Sequence, residues 1–379
     1  MMICVAWLAA AAICATSNAQ VASSKPDNSP TADLKAILEP IRDEFKLPAL
    51  AAVVIKDGHI LGRGATGLRK AGSVAVVTPD DKFHIGSCTK SMTATLAAML
   101  VEQGKLTWQT KLADVLPEVA GSMHPDYRAV TLEQLLAHRA GVPHTADPAA
   151  WAEAWKLRGT PTQQRLEFIR AVLAKPPEAP PGTKHIYSNQ GYTAVGAMLE
   201  KLTGRAWEDL MREKLFAPLG MTSAGFGAPA TVGKTDQPWG HVWFLWRAKP
   251  IPPGPQADNP PAIGPGGTVH CSLDDLAKYA AFHLRAGRGQ PALLKPASFE
   301  KLHTPPAGQE YAFGWIVCQR GWAGGEALTH NGSNTMFYTV MWLAPRKQFA
   351  VLVATNIGGK GVPEGCDRAA AALVRKYAN

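Results

Sequence analysis

The chain has 379 residues, of which 46% are apolar and 18% charged, with 35 glycines and 30 prolines; this lies within the globular range and sets aside disordered, collagen-like and coiled-coil readings. The length fits two domains or one large interlaced domain. The formal charge of +9 is scattered, with no basic run denser than Leu68-Arg69-Lys70 or Pro345-Arg346-Lys347, so no nucleic-acid partner is expected.

Met1 to Ala15 is uncharged and apolar, and Ser17-Asn18-Ala19 follows as a small-x-Ala pattern. This reads as a signal peptide over 1–19, cleaved after Ala19, with a periplasmic or secreted product. Its apolar core, Ile3 to Ala15, is short of the ~20 residues that span a bilayer, and no later stretch qualifies, so no transmembrane helix is expected. Ile13 is too bulky to precede a lipidated Cys14. Gln20 to Ser29 is polar and reads as a flexible mature N-terminus, leaving 30–379 as a single domain.

Apolar residues at Leu34, Ile37, Leu38 and Ile41 predict an amphipathic helix over Thr31–Phe45. Leu50–Ile55 and Ile60–Gly67 predict a hairpin turning at Asp57-Gly58. Helices are expected over Ser87–Gln103, Thr131–His138, Thr162–Ala174, Ser188–Thr203, Trp207–Leu215 and Ser272–Arg285. The proline-rich segments Lys175–Pro181 and Pro250–Pro265 read as loops. Strands return at Ala312–Gln319, Glu326–His330, Thr335–Leu343 and Phe349–Asn356, before a closing helix near Arg368–Lys376. The order implies a sheet built from both chain ends, with a helical lobe at about 87–285 inserted in it, and clefts form where such lobes meet.

Cys88, Cys271, Cys318 and Cys366 show no C-x-x-C spacing and read as free buried thiols, and the eleven histidines include no H-E-x-x-H. No metal or cofactor is expected. Three constellations carry chemistry. In Ser87-Cys88-Thr89-Lys90, the hydroxyl sits at the start of an apolar helix with the amine one turn up the same face, where a desolvated lysine can take the hydroxyl proton. Ser298-Phe299-Glu300-Lys301 has the same spacing but reads as a capping serine on a solvated helix. Tyr187-Ser188-Asn189 precedes a helix that Asn189 could cap, and Tyr187 acts on a proton only if a cation adjoins its phenol. His330-Asn331-Gly332-Ser333 ends a strand, where His330 can donate to an anion and Gly332 lets backbone approach closely. Trp239, Trp243 and Trp246 read as hairpin packing rather than a pocket wall.

Taken in order, these motifs resemble the serine β-lactamase and penicillin-binding superfamily, in its class C-like branch. Gly104-Lys105-Leu106-Thr107, Val130 to His138, Tyr187 to Gly204, Pro218-Leu219-Gly220-Met221, Pro265-Gly266-Gly267 and Val351 to Asn356 are similar to family segments, over about residues 30–379. The resemblance implies an α+β, β-lactamase/transpeptidase-like fold: an antiparallel sheet flanked by helices, with an inserted all-helical lobe. It implies a catalytic domain in which Ser87 is acylated and Lys90 and Tyr187 share the proton work. Asn189 would hold Lys90 and the substrate amide, the amides of Ser87 and Ser333 would form an oxyanion hole, and His330 and Gly332 would bind substrate. The implied activity is a serine hydrolase forming an acyl-enzyme on an ester, amide or β-lactam bond of a small molecule or peptide, with no cofactor. The rival reading is a non-catalytic or slow-turnover penicillin-recognising sensor. His330 stands where many β-lactamases carry Lys, which turns the expectation from β-lactams towards D-alanyl peptides or esters.

Overall fold

The computed structural model describes residues 31–145, 147–286 and 293–378. The expected leader and polar N-terminus lie outside these residues. Strand β1 (Ala32–Asp33), helix α1 (Lys35–Glu44) and strands β2 (Ala49–Lys56) and β3 (His59–Gly67) open the chain. Asp57 and Gly58 turn the hairpin with φ of 52° and 83°, as their chemistry predicts. Strand β4 (Lys82–His84) then leads into helix α2 (Thr89–Glu102). The middle of the chain holds α3 (Pro161–Leu173), α4 (Asn189–Thr203), the short strand β5 (Gly225–Phe226), the hairpin β6 (Gly240–Phe244) and β7 (Arg247–Ile251), strand β8 (Val269–Ser272) and α5 (Leu273–Arg285). Strands β9 (Ile316–Arg320), β10 (Gly325–Ser333), β11 (Tyr338–Ala344) and β12 (Phe349–Thr355) precede the closing helix α6 (Val362–Tyr377).

The main sheet has the order β1-β3-β2-β12-β11-β10-β9, and all its pairs are antiparallel except the two-residue β1–β3 contact. The first hairpin joins the last strands through Ala51↔Ala354 and Val53↔Leu352, so the sheet closes from both ends of the chain. β2 and β12 are central because both their faces are apolar. Ala49, Ala51, Val53 and Ile55 face the core shared with α2 and the inserted lobe, while Leu50, Ala52 and Val54 face a second core under α1 and α6.

The differences from the predicted elements have local causes. The inserted lobe is not all helical: it contributes the small β4-β8-β5 sheet and the β6–β7 hairpin. Pro250–Pro265 is not all loop, since β7 runs to Ile251 on a two-stranded edge and Gly264–Gly267 forms one helical turn. α6 begins six residues earlier than expected, because Pro363 suits a first turn and Gly361, at φ 81°, admits the chain to it. β11 starts at Tyr338, not Thr335, because the Asn334 side chain accepts the amides of Met336 and Phe337 and holds a turn there.

Candidate active site

β4 ends at His84, and the chain passes through a tight turn, Gly86–Cys88, into α2. The end of β10 presses against this turn so closely that only glycine fits on either side. A Cβ on Gly86, which has φ 50°, would lie 2.3 Å from the Ser333 nitrogen, and one on Gly332 would lie 2.4 Å from the Ser87 nitrogen and 2.1 Å from the Ile85 oxygen. The structure thereby brings the backbone amides of Ser87 and Ser333 to one junction. His84 fixes the turn from beneath: its Nδ1 accepts the Gly86 amide at 3.0 Å and its Nε2 lies 2.8 Å from the Asp258 carboxylate. Cys88 points inward, with Sγ 3.5 Å from the His330 oxygen, and burial pushes its thiol pKa up, so it offers no thiolate beside Ser87.

Lys90 is fully buried. Its Nζ lies 2.9 Å from Ser87 Oγ, 2.6 Å from Asn189 Oδ1 and 2.6 Å from the Gly266 carbonyl oxygen. Desolvation drives its pKa well below the ordinary lysine value. Two of the three partners are pure acceptors, so a neutral amine spends both its N–H groups on them and turns its lone pair to the Ser87 hydroxyl.

Asn189 can serve Lys90 because it does not cap its helix. Ser188 does, its Oγ accepting the Gly191 amide. Tyr187 lies under the amine, with Lys90 Nζ 4.7 Å from the ring centroid, and its hydroxyl is hydrogen-bonded to Ser87. Burial raises its pKa against the lowering effect of the Ser87 hydrogen bond, and a neutral Lys90 supplies no cation to offset that, so Tyr187 stays a phenol.

His330 is where the structure departs most from expectation. Its ring is buried, Nε2 lies 3.1 Å from Tyr311 Oη and Nδ1 lies 2.5 Å from the Asn331 oxygen. Burial, aided by Lys90, pulls its pKa down to about 3. It is therefore a neutral support for Tyr311 rather than a cation for a substrate anion. Ser87, Tyr187, His330, Gly332 and Ser333 line one cavity of about 650 Å³, together with His185, Gln309, Glu310, Tyr311 and Asn331. His185 is exposed with its pKa lowered, first by desolvation and then by Arg139. Glu310 is the acidic side chain of this lining.

The sequence placed Gly266 only within a family-like segment, with no role, and did not point to Tyr311 or Glu310. Gly266 acts through its carbonyl, for which no side-chain pattern exists, and the latter two lie in a segment without periodicity. The second Ser-x-x-Lys is also resolved: Ser298 lies inside the helix Pro296–His303 instead of capping it, its hydroxyl donating to Glu102, and Lys301 pairs with Glu133. Of the three tryptophans, Trp239 donates to the Lys234 carbonyl and Trp243 packs at the second core, but Trp246 is 92% exposed and packs as neither core nor wall.

Known proteins share this architecture. A family model described as Beta-lactamase matches residues 34–376. Penicillin-binding protein 4 of Amycolatopsis lactamdurans is 30% identical over 332 residues, which is 84% of this chain and 83% of that protein. An unguisins hydrolase of Aspergillus campestris is 28% identical over 86% of this chain, which spans 61% of that protein's length. Among solved structures, the octameric penicillin-binding protein homologue from Pyrococcus abyssi matches with a TM-score of 0.74 at 25% identity, covering 90% of this chain and 77% of that one.

Proposed function

Because the chain belongs to the Beta-lactamase family, a family of serine hydrolases, we propose that it is an exported hydrolase that cleaves amide or ester bonds through an acyl-enzyme on Ser87. The observation that carries this reading is the buried Lys90 amine, held between Asn189 and Gly266 with Ser87 Oγ at 2.9 Å. The neutral amine takes the Ser87 proton as Oγ attacks the substrate carbonyl carbon. The developing oxyanion accepts from the amides of Ser87 and Ser333. Lys90, relayed by the Tyr187 phenol, returns the proton to the leaving nitrogen or oxygen, and water then attacks the acyl carbon by the same route in reverse.

The cavity favours a particular substrate class. A β-lactam or a C-terminal peptide presents a carboxylate, and the wall offers it a neutral His330 and the negative Glu310. A substrate with an ammonium group near the scissile carbonyl suits Glu310 better, so the reading settles on peptides or amides with a free amino end, with D-residues as the first class to try given the His-x-Gly resemblance. Export rests on the apolar Met1–Ala15 segment and its small-x-Ala end.

A fluorophosphonate probe and intact-protein mass spectrometry test the nucleophile: one adduct is expected on the protein and none on Ser87→Ala. A panel of D-alanine amides, short esters and nitrocefin tests the substrate class, with turnover expected in that descending order. An adduct persisting on Ser87→Ala would refute the mechanism, and nitrocefin as the best substrate would refute the class.

A further inference from the structure

The large apolar side chains most exposed among the described residues are Val74, Val76, Val232, Phe244, Leu245 and Trp246. They fall on three adjoining segments. The Trp239 amide donates to the Arg69 carbonyl at 2.8 Å and the Ala71 amide to His241 Nε2 at 3.0 Å, tying the loop that carries Val74 to the β6–β7 hairpin. The Trp239 indole donates to Lys234, two residues beyond Val232. Phe244, Leu245 and Trp246 form the hairpin tip at 57%, 76% and 92% exposure.

The tip contradicts its own backbone. Phe244 pairs with Arg247, so Leu245 and Trp246 are a two-residue turn, and both have positive φ, 44° and 64°. Such a turn favours Asn-Gly, and bulky residues there are strained. The sequence therefore places two of its most water-averse side chains where they are both strained and solvated. Conflicts of this kind mark sites made for a contact the isolated fold does not supply.

The surroundings select the partner. Lys249 lies with its amine 5.2 Å from the Phe244 ring, Lys70 4.1 Å from the Trp239 ring, and Arg42, Lys46 and Arg247 line the groove beside Trp246. Two acids lie nearby: Asp43 lines the same groove and pairs with Arg42, and Asp236 accepts from Thr231 and keeps its charge, which leaves Lys46, Lys70, Arg247 and Lys249 as the basic collar. An apolar, Trp-bearing tip collared by basic side chains, two of them with their amines over aromatic rings, has the chemistry of a segment seated in a lipid interface. We propose that the β6–β7 tip and its flanking loops form a membrane-contacting face, which inserts Phe244, Leu245 and Trp246 between the headgroups of an anionic bilayer while the basic collar meets the lipid phosphates.

The test is co-sedimentation of the full chain with vesicles of phosphatidylglycerol and phosphatidylcholine, or of phosphatidylcholine alone, at low and high salt. Leu245→Asn/Trp246→Gly supplies the residues the turn prefers, so its thermal midpoint should equal or exceed the parent's while its partitioning falls about tenfold or more. Arg247→Gln/Lys249→Gln leaves the turn intact and should weaken binding to the anionic vesicles by about fivefold per charge, with little effect on neutral ones. It carries the test if the first variant proves unstable. The proposal is overturned if the parent does not sediment with anionic vesicles, or if both variants sediment as the parent does. It is equally overturned if light scattering shows a parent oligomer that the tip variant splits, since the tip would then seat a second copy of the chain.

Discussion

The Gly266 carbonyl oxygen lies 2.6 Å from the Lys90 amine, and both residues are buried. With Asn189 it fixes two of the amine's directions, so the third points at Ser87. Replacing Lys90 by Ala should slow acylation by about 10²–10⁴, the usual contribution of a positioned proton acceptor. Because the active form is the neutral amine and its pKa is lowered by burial, acylation should rise with pH along a limb set well below the ordinary lysine range. Stopped-flow acylation across pH checks both, and a limb absent from the parent's profile would reject neutral Lys90 as the acceptor.

Gly332→Ala tests the junction between β10 and the nucleophile turn. Its Cβ would sit 2.1 Å from the Ile85 oxygen and 2.4 Å from the Ser87 nitrogen, both backbone atoms. The strand must move away, at roughly 1–3 kcal/mol of stability. Urea denaturation should show that loss, and acylation should fall more than substrate binding does because the two amides separate.

Glu310→Gln bears on the substrate class. The carboxylate is exposed at the cavity wall, so its pairing with a substrate ammonium is worth little, and KM for amino-terminal amides should rise about two- to fivefold with kcat unchanged. For an ester lacking the amine, KM should not move.

Acid should act on stability through His330. Its folded pKa is depressed to about 3, below the unfolded value near 6.5. Between those values the unfolded chain binds more protons, so His330 contributes stability above pH ~6.5 that is lost as pH falls. Measured against His330→Asn by urea denaturation, the protein's relative stability should drop by up to about 1.4 kcal/mol per pH unit towards pH 3. A difference independent of pH would mean that His330 titrates normally.

Local chemistry in the sequence was enough to determine most of the elements, though not the β4-β8-β5 sheet or the β6–β7 hairpin, and to point to three stretches that the structure brings together. Asp57-Gly58 turns a hairpin cheaply, the unbroken apolar run Ala49–Ile55 commits a strand to two cores, and Ser87 and Lys90 are one helical turn apart wherever that helix lies. Tertiary structure decided what each group is chemically. Lys90 is neutralised by burial, and its amine is aimed by two acceptors that lie 99 and 176 positions away along the chain. His330 loses its charge to the same burial and its ring nitrogens to Tyr311 and Asn331. Asn189 is released from capping only because Ser188 takes that task. Protonation and hydrogen-bond commitment depend on which distant groups fill the surrounding volume, and that is set by how the strands and helices pack, a property no window of sequence contains.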